Sequence, residues 1–116
     1  MEELLHYVWK HKLFALKPLQ TTDGQPIEII DPGLANMHAG PDFFNAKIKI
    51  NDVTWVGNIE IHQQASDWFR HNHHLDPAYD SVILHVASDI DATPTRSNGE
   101  VIPQMELHYP PYLLKN

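Results

Sequence analysis

The stretch GPDFFNAKIKINDVTWVGNIEIH, from Gly40 to His62, contains two runs of alternating apolar and polar residues separated by a turn dipeptide. The first run extends from Phe43 to Ile50, and the second from about Val53 to Gln63. Alternation with a period of two is typical of β-strands, and Asn51-Asp52 between the runs is typical of a tight turn. The stretch therefore predicts an antiparallel hairpin.

Two acidic residues, Asp42 and Glu60, lie in this hairpin among apolar neighbours. If the chain turns at Asn51-Asp52, Asp42 falls nearly opposite Glu60, and His62 lies on the same face of its strand as Glu60. Strict alternation puts Asp42 on the face of Phe44 instead, unless the chain bends where the strand begins. Burial of a carboxylate is costly without a positive partner, so the pair predicts a site for a divalent cation, which prefers oxygen ligands.

Further elements follow on both sides of the hairpin. The sequence predicts a helix over 2–15, a strand over 27–30 and a loop over 34–41; Ser66 is expected to cap a short helix. The nearly apolar segment 81–87 predicts a central strand, and the segment 101–109 predicts an edge strand because it contains Pro103. The last residues, 110–116, resemble the start of a helix. The order of elements predicts an α/β fold around a mixed sheet flanked by helices.

The composition restricts the class of protein. The chain has 116 residues, no cysteine and a formal net charge of −7, so we expect one domain without disulfides or thiolate metal sites. The charge opposes a broad basic surface for nucleic acid. No apolar run has the length of roughly 18 residues that a membrane helix needs, and the beginning MEELLHYVWKHK does not have the layout of a secretory signal. A cytoplasmic location and no membrane partner are therefore expected.

The element order and the acidic pair resemble the PD-(D/E)XK nuclease superfamily. Its members have a restriction-endonuclease-like α-β-β-β-α-β core, in which Pro-Asp opens one strand and the next carries Asp or Glu, any residue, then Lys. Pro41-Asp42 matches the first motif and Glu60-Ile61 the second, with His62 in place of the lysine. The resemblance implies that Asp42, Glu60 and the Ile61 carbonyl hold Mg²⁺ or Mn²⁺. It also implies that His62 orients or deprotonates a water that attacks a DNA or RNA phosphodiester.

Several strings resemble a second, narrower group, the uncharacterised bacterial family called domain of unknown function 2851. They are AGPDFFNAKIKI, GNIEIH, DW, HNHHLDPAYDSVILHV and IPQMELH. The resemblance as a whole extends over nearly the whole chain. Members are longer and are encoded mainly in Bacteroidetes. The resemblance implies that residues 1–116 form a single nuclease-like domain from the N-terminal portion of a longer protein, and it implies no activity.

Two other interpretations of the site remain open. His62 in place of lysine also suits a non-catalytic scaffold or binding module that keeps a nuclease-like fold. His71, His73 and His74 crowd one short loop, and imidazoles at such spacing bind zinc or nickel, so a histidine-rich metallohydrolase is a third hypothesis. His85 interrupts a buried strand, where a histidine is more often a hydrogen-bonded structural residue than a ligand.

Overall fold

The computed structural model describes residues 1–14 and 17–114, and this part of the chain contains two α-helices and six β-strands. The helices are α1 (Glu2–His11) and α2 (Asp67–Arg70). The strands are β1 (Ile27–Asp31), β2 (Leu34–Ala35), β3 (Phe43–Ile50), β4 (Val53–Gln64), β5 (Val82–Asp89) and β6 (Gln104–Glu106). Short 3₁₀ turns lie at His73–Leu75, Pro77–Tyr79 and Pro111–Leu114.

The six strands form one mixed sheet in the order β1-β3-β4-β5-β6, with β2 paired to β3. Strands β1, β2 and β4 run antiparallel to β3, whereas β4, β5 and β6 run parallel to one another. A parallel neighbour requires a crossover, and α2 with the turns after it forms the crossover from β4 to β5. The predicted α/β class is confirmed, as is the element order apart from the two-residue β2, which lies in the segment predicted to be a loop.

The sheet is covered on both faces because each helix has a buried apolar side. From α1, Leu5, Val8 and Trp9 pack into the larger hydrophobic cluster together with residues of β1, β3, β4 and β5. On the other face Trp68 of α2 packs against a smaller cluster that includes Val82 and Ile102. The second face is therefore less apolar, and polar side chains of β4 and β5 are buried there.

The hairpin of β3 and β4 has the predicted turn, and its pairing fixes the position of the acidic residues. Ile50 pairs with Val53 on either side of the turn, and Phe43 pairs with Ile59 near the far end. Asn51 has a φ of 53°, a conformation that asparagine adopts more readily than most residues. Since Phe43 and Ile59 are opposite, Asp42 and Glu60 are neighbours one step further along.

A β-bulge in β3 corrects the predicted alternation of that strand. The register shifts between Phe43 and Ala46, and Asn45 within the shift has a φ of 58°. As a result Phe43 is buried, Phe44 is only half-buried, and the residues buried beyond the bulge begin at Ala46. The prediction that Phe44 shares the buried face was wrong because one extra residue reverses the alternation. The bulge, rather than a bend at the entry to the strand, puts Asp42 on the face of Glu60.

The helix α1 ends earlier than predicted. Lys12 has a φ of 53°, its N–H reaches the Trp9 carbonyl, and the next N–H, of Leu13, reaches the Val8 carbonyl at 2.9 Å. This left-handed Schellman arrangement ends the helix at His11. The remainder of the predicted helix includes residue 15, which lies outside the described residues, as do residues 115 and 116 of the predicted terminal helix.

The helices described in residues 1–14 and 17–114 are too short to cross a membrane. The longest, α1, has 10 residues, whereas a membrane-spanning helix needs about 20.

Candidate metal centre

Asp42 and Glu60 meet where β3 begins beside the middle of β4. The backbone N–H of Asp42 donates to Glu60 Oε1 at 3.2 Å, and Asp42 Oδ2 accepts the N–H of Ile61 at 2.8 Å. Glu60 is 5% exposed, and the side chain of Asp42 is partly exposed. The structure thus places the two carboxylates of the sequence motif at one strand edge, one buried and one accessible.

Ile61 presents its main chain to the same edge. Its N–H points to Asp42, and the N–H and C=O of one residue in a β-strand point to the same side. Phe43 is the first residue of β3, so β4 extends past its partner strand at this point. The Ile61 carbonyl therefore lies on the side of β4 that faces Asp42.

His62 and His73 hold the other oxygen of Glu60. Glu60 Oε2 lies 3.2 Å from His62 Nε2 and 3.0 Å from His73 Nε2. His62 is 1% exposed and His73 is 7% exposed, so this contact is buried. Lys47 and Lys49 lie further along the hairpin, where they pair with Val56 and Thr54.

A chain of hydrogen bonds continues from His62 into the sheet. His62 Nδ1 lies 2.7 Å from His85 Nε2, and His85 Nδ1 lies 2.7 Å from Gln104 Oε1. Gln104 donates through Nε2 to the Ala92 carbonyl at 2.9 Å. We call His85, Gln104 and the Ala92 carbonyl the relay. The His85 ring is hydrogen-bonded, as expected of a histidine in a buried strand. Its partners are the side chains of His62 and Gln104 rather than backbone groups.

His71 completes a cluster of three imidazoles. One nitrogen from each of His62, His71 and His73 lies within 4.8 Å of the others, and His71 is the exposed member. The sequence pointed to His74 as the third member, but its ring lies against Phe69, with centroids 4.9 Å apart. That grouping was wrong because His73 starts a 3₁₀ turn, which directs adjacent side chains to different sides.

Aromatic rings fix the orientation of the buried imidazoles. His73 stacks on Tyr79 with centroids 3.7 Å apart, and the Trp68 ring meets His73 edge-on at 5.3 Å and His85 at 5.2 Å. Trp68 is itself anchored by a hydrogen bond from its Nε1 to the Thr95 carbonyl. The buried imidazoles are therefore packed against aromatic rings, which restrict their orientation.

Burial and the local charges set the ionisation of the site. Burial opposes the charged form of Glu60, but hydrogen bonds from His62 and His73 outweigh it and lower the pKa of Glu60 to about 2. Burial lowers the pKa of His85 to about 4. Burial, followed by the charge of Glu60, raises the pKa of Tyr79 to about 12. At neutral pH, Glu60 is thus an anion and His85 and Tyr79 are neutral.

Sequence reasoning missed His6 and Gln104 as neighbours of the site. His6 Nε2 on α1 lies 3.5 Å from Asp42 Oδ2, and the hydrogen bond to Asp42 raises the pKa of His6. Neither residue carried a signal in the sequence, since His6 lies on an amphipathic helix and Gln104 in a short edge strand. Only the packing of α1 against β4 and the pairing of β6 with β5 bring them to the site.

These features define an α/β domain with a buried carboxylate and an imidazole cluster of metal-ligand type on one sheet face. The chain belongs to the family described as protein of unknown function (DUF2851), whose model matches residues 2–116, so the narrower resemblance seen in the sequence is confirmed. No curated protein and no solved structure matches the chain.

Proposed function

We propose that this domain hydrolyses phosphodiester bonds of nucleic acid with the help of a divalent metal ion. The observation that carries the proposal is the meeting of Asp42 and Glu60 at one strand edge, with the Ile61 carbonyl directed to the same place and His62 beside Glu60. Two acids and a neighbouring base are the groups that metal-assisted phosphodiester hydrolysis needs.

The donor atoms at this edge fit Mg²⁺ or Mn²⁺. Asp42, Glu60 and the Ile61 carbonyl supply oxygen atoms, the ligands that hard divalent ions prefer. When bound, such an ion polarises the phosphoryl group and activates water. An ion would reach the buried Glu60 from the side of the site where the Asp42 carboxylate is partly exposed.

His62 is the proposed base. Its Nδ1 is hydrogen-bonded to His85, so Nε2, which lies 3.2 Å from Glu60 Oε2 in the ion-free site, is the nitrogen proposed to take a proton from the attacking water once Glu60 holds the ion. His85 is neutral at pH 7, so it accepts from His62 Nδ1–H and stabilises the imidazolium that forms. Unlike the lysine of the nuclease motif, His62 provides no permanent charge beside the phosphate, which places more of the charge stabilisation on the ion.

We further propose a partner that binds the nucleic acid and a cytoplasmic location. The net charge of −7 repels a polyanion, so we propose that a more basic segment or a second protein holds the nucleic acid. The absence of cysteine is the reason to propose a cytoplasmic location.

A non-catalytic binding module is the second candidate. It is favoured because the carboxylate oxygens of the cluster already have hydrogen-bond partners within the protein. Both oxygens of Glu60 have protein partners, and Asp42 Oδ2 already accepts from Ile61. Such a network satisfies a buried carboxylate without any ion. Moreover, two surface cavities of about 380 and 390 Å³ are lined by residues outside this cluster.

Nicking of supercoiled plasmid in the presence of Mn²⁺ separates the two candidates. We expect nicking by the wild type and a loss of about 100-fold or more in Asp42→Asn, which keeps an acceptor for the Ile61 N–H but removes the charge. His74→Ala is the matched control, because His74 faces Phe69 outside the cluster, and it should retain the wild-type rate. Nicking no faster than in chelator, or equal rates for wild type and Asp42→Asn, would favour the binding module.

A further inference from the structure

We propose that Glu60, His62 and His73, with His71 on the exposed side, form a second cation position, selective for a zinc-type transition metal. We call it the imidazole site. It shares Glu60 and His62 with the proposed hydrolytic site but lies on the other side of that carboxylate, at Oε2, so His62 does not act as a base while an ion occupies it. Binding of an ion there does not require that the domain hydrolyse anything.

The spacing of the donor atoms fits a small tetrahedral ion. Glu60 Oε2 is 3.0 Å from His73 Nε2 and 3.2 Å from His62 Nε2. Zinc bonds of about 2.0–2.1 Å in tetrahedral geometry put neighbouring ligand atoms roughly 3.3 Å apart. Glu60 Oε2 is therefore already near ligand-to-ligand spacing from both buried imidazoles, and one nitrogen from each of His62, His71 and His73 lies within 4.8 Å of the others.

The relay determines which nitrogen of His62 is available to an ion. The Ala92 carbonyl is only an acceptor, so Gln104 must direct its amide nitrogen to Ala92 and its oxygen to His85. His85 then donates from Nδ1 to Gln104, and its Nε2 accepts from His62 Nδ1–H. The proton on His62 Nδ1 is thereby fixed by a backbone group. An ion would then bind at Nε2, in place of the hydrogen bond that this nitrogen makes to Glu60 in the ion-free protein.

Orientation of a ligand histidine through its other nitrogen is a recurring feature of metal sites. His73 has a comparable support, since its ring stacks on Tyr79 at 3.7 Å. Two buried imidazoles and one carboxylate resemble the three-ligand sets of zinc sites that keep a position open, and the exposed His71 lies at that opening. Imidazole donors favour zinc, cobalt or nickel over magnesium.

Calorimetric titration of the metal-free protein with Zn²⁺ tests the ligand set. We expect one ion per chain and a loss of affinity of more than about 100-fold in His73→Ala and in Glu60→Gln, beyond the roughly 10–100-fold typical of residues that only orient a ligand. The control His74→Ala should stay within about threefold of wild type, because His74 does not belong to the imidazole site. No binding at millimolar Zn²⁺, or an equal loss in His74→Ala, would overturn the site.

The spectrum of Co²⁺ in place of Zn²⁺ gives a readout independent of affinity. A tetrahedral site with nitrogen ligands gives strong visible absorption, which should be present in wild type and His74→Ala and absent in His73→Ala. The weak bands of an octahedral ion in wild type would contradict the proposed geometry.

The role of the relay is tested by substitution of Gln104 and by NMR. Gln104→Met removes the acceptor for His85 and should weaken Zn²⁺ binding by about tenfold, whereas Gln104→Glu keeps an acceptor and should restore most of the affinity. In the zinc-loaded wild type, ¹⁵N spectra should show His62 with a proton on Nδ1 and none on Nε2. A proton on Nε2 with bare Nδ1 would refute the assignment. Zinc binding without plasmid nicking would leave the imidazole site standing and remove the proposed hydrolysis.

Discussion

Acidification should destabilise the metal-free protein at pH values well above the pKa of its carboxylates, because His85 is buried as a neutral imidazole. Burial lowers the pKa of His85 to about 4, against 6.5 for an exposed histidine. As the pH falls through 6.5 the unfolded chain takes up a proton that the folded chain does not bind until about pH 4. The free energy of unfolding therefore has its full value, as far as His85 is concerned, above pH 6.5. It decreases as the pH falls below 6.5. Linkage gives a loss of about 2 kcal/mol between pH 7 and pH 5.

Two other groups near the site titrate differently, which allows the contribution of His85 to be separated. Glu60 has its pKa lowered to about 2 from 4.5, so its contribution is complete above pH 4.5 and is lost only as the pH falls toward 2. The pKa of His6 is raised by its hydrogen bond to Asp42, so His6 stabilises the fold as the pH falls and opposes the effect of His85. A His6→Gln background removes this opposing contribution.

Urea unfolding in the presence of EDTA at pH 7, 6 and 5 measures the effect. In the His6→Gln background the unfolding free energy should fall by about 2 kcal/mol from pH 7 to pH 5, and addition of His85→Gln should abolish most of that slope whatever it does to stability at pH 7. An NMR titration of the His85 ring supplies the pKa directly. Titration of His85 near 6.5, or equal slopes with and without His85, would refute the assignment of a buried neutral imidazole.

Four other perturbations have definite expected outcomes. Asn45→Val should lower the unfolding free energy by about 1–2 kcal/mol because Asn45 has a φ of 58°, whereas Asn45→Gly should not; urea unfolding compares them. Gly57→Ala should cost about 1–3 kcal/mol in the same assay, since a Cβ would lie 2.5 Å from Ile83 Cγ2. Trp68→Phe should cost roughly 2–4 kcal/mol, because it leaves a cavity and an unpaired Thr95 carbonyl. Zn²⁺ at 100 times its Kd should raise the unfolding free energy by about 2.7 kcal/mol, and EDTA should reverse the gain.

The register of the hairpin could be predicted because it depends on local features. A two-residue turn at Asn51-Asp52 between two alternating runs leaves one pairing in which apolar residues face each other, and that pairing brings Asp42 to within one residue of Glu60. The central position of β5 and the edge position of β6 followed in the same way from an apolar run and from Pro103. The bulge at Asn45 could not be read from the sequence, because asparagine is also an ordinary residue on an exposed strand face.

The sequence by itself determined the α/β class, the order of the main elements and the approximate register of the two acids, since each depends on periodicity and turns over a few residues. The bulge in β3 decided that the acids share one face. The tertiary structure alone decided which histidines meet. His62, His73 and His85 come from a strand, a turn and a second strand that the crossover through α2 brings to one face of the sheet. Contacts between elements distant in the chain depend on the packing of the whole fold, so no local sequence pattern predicts them. For this reason the sequence grouped His74, and not His62, with His71 and His73.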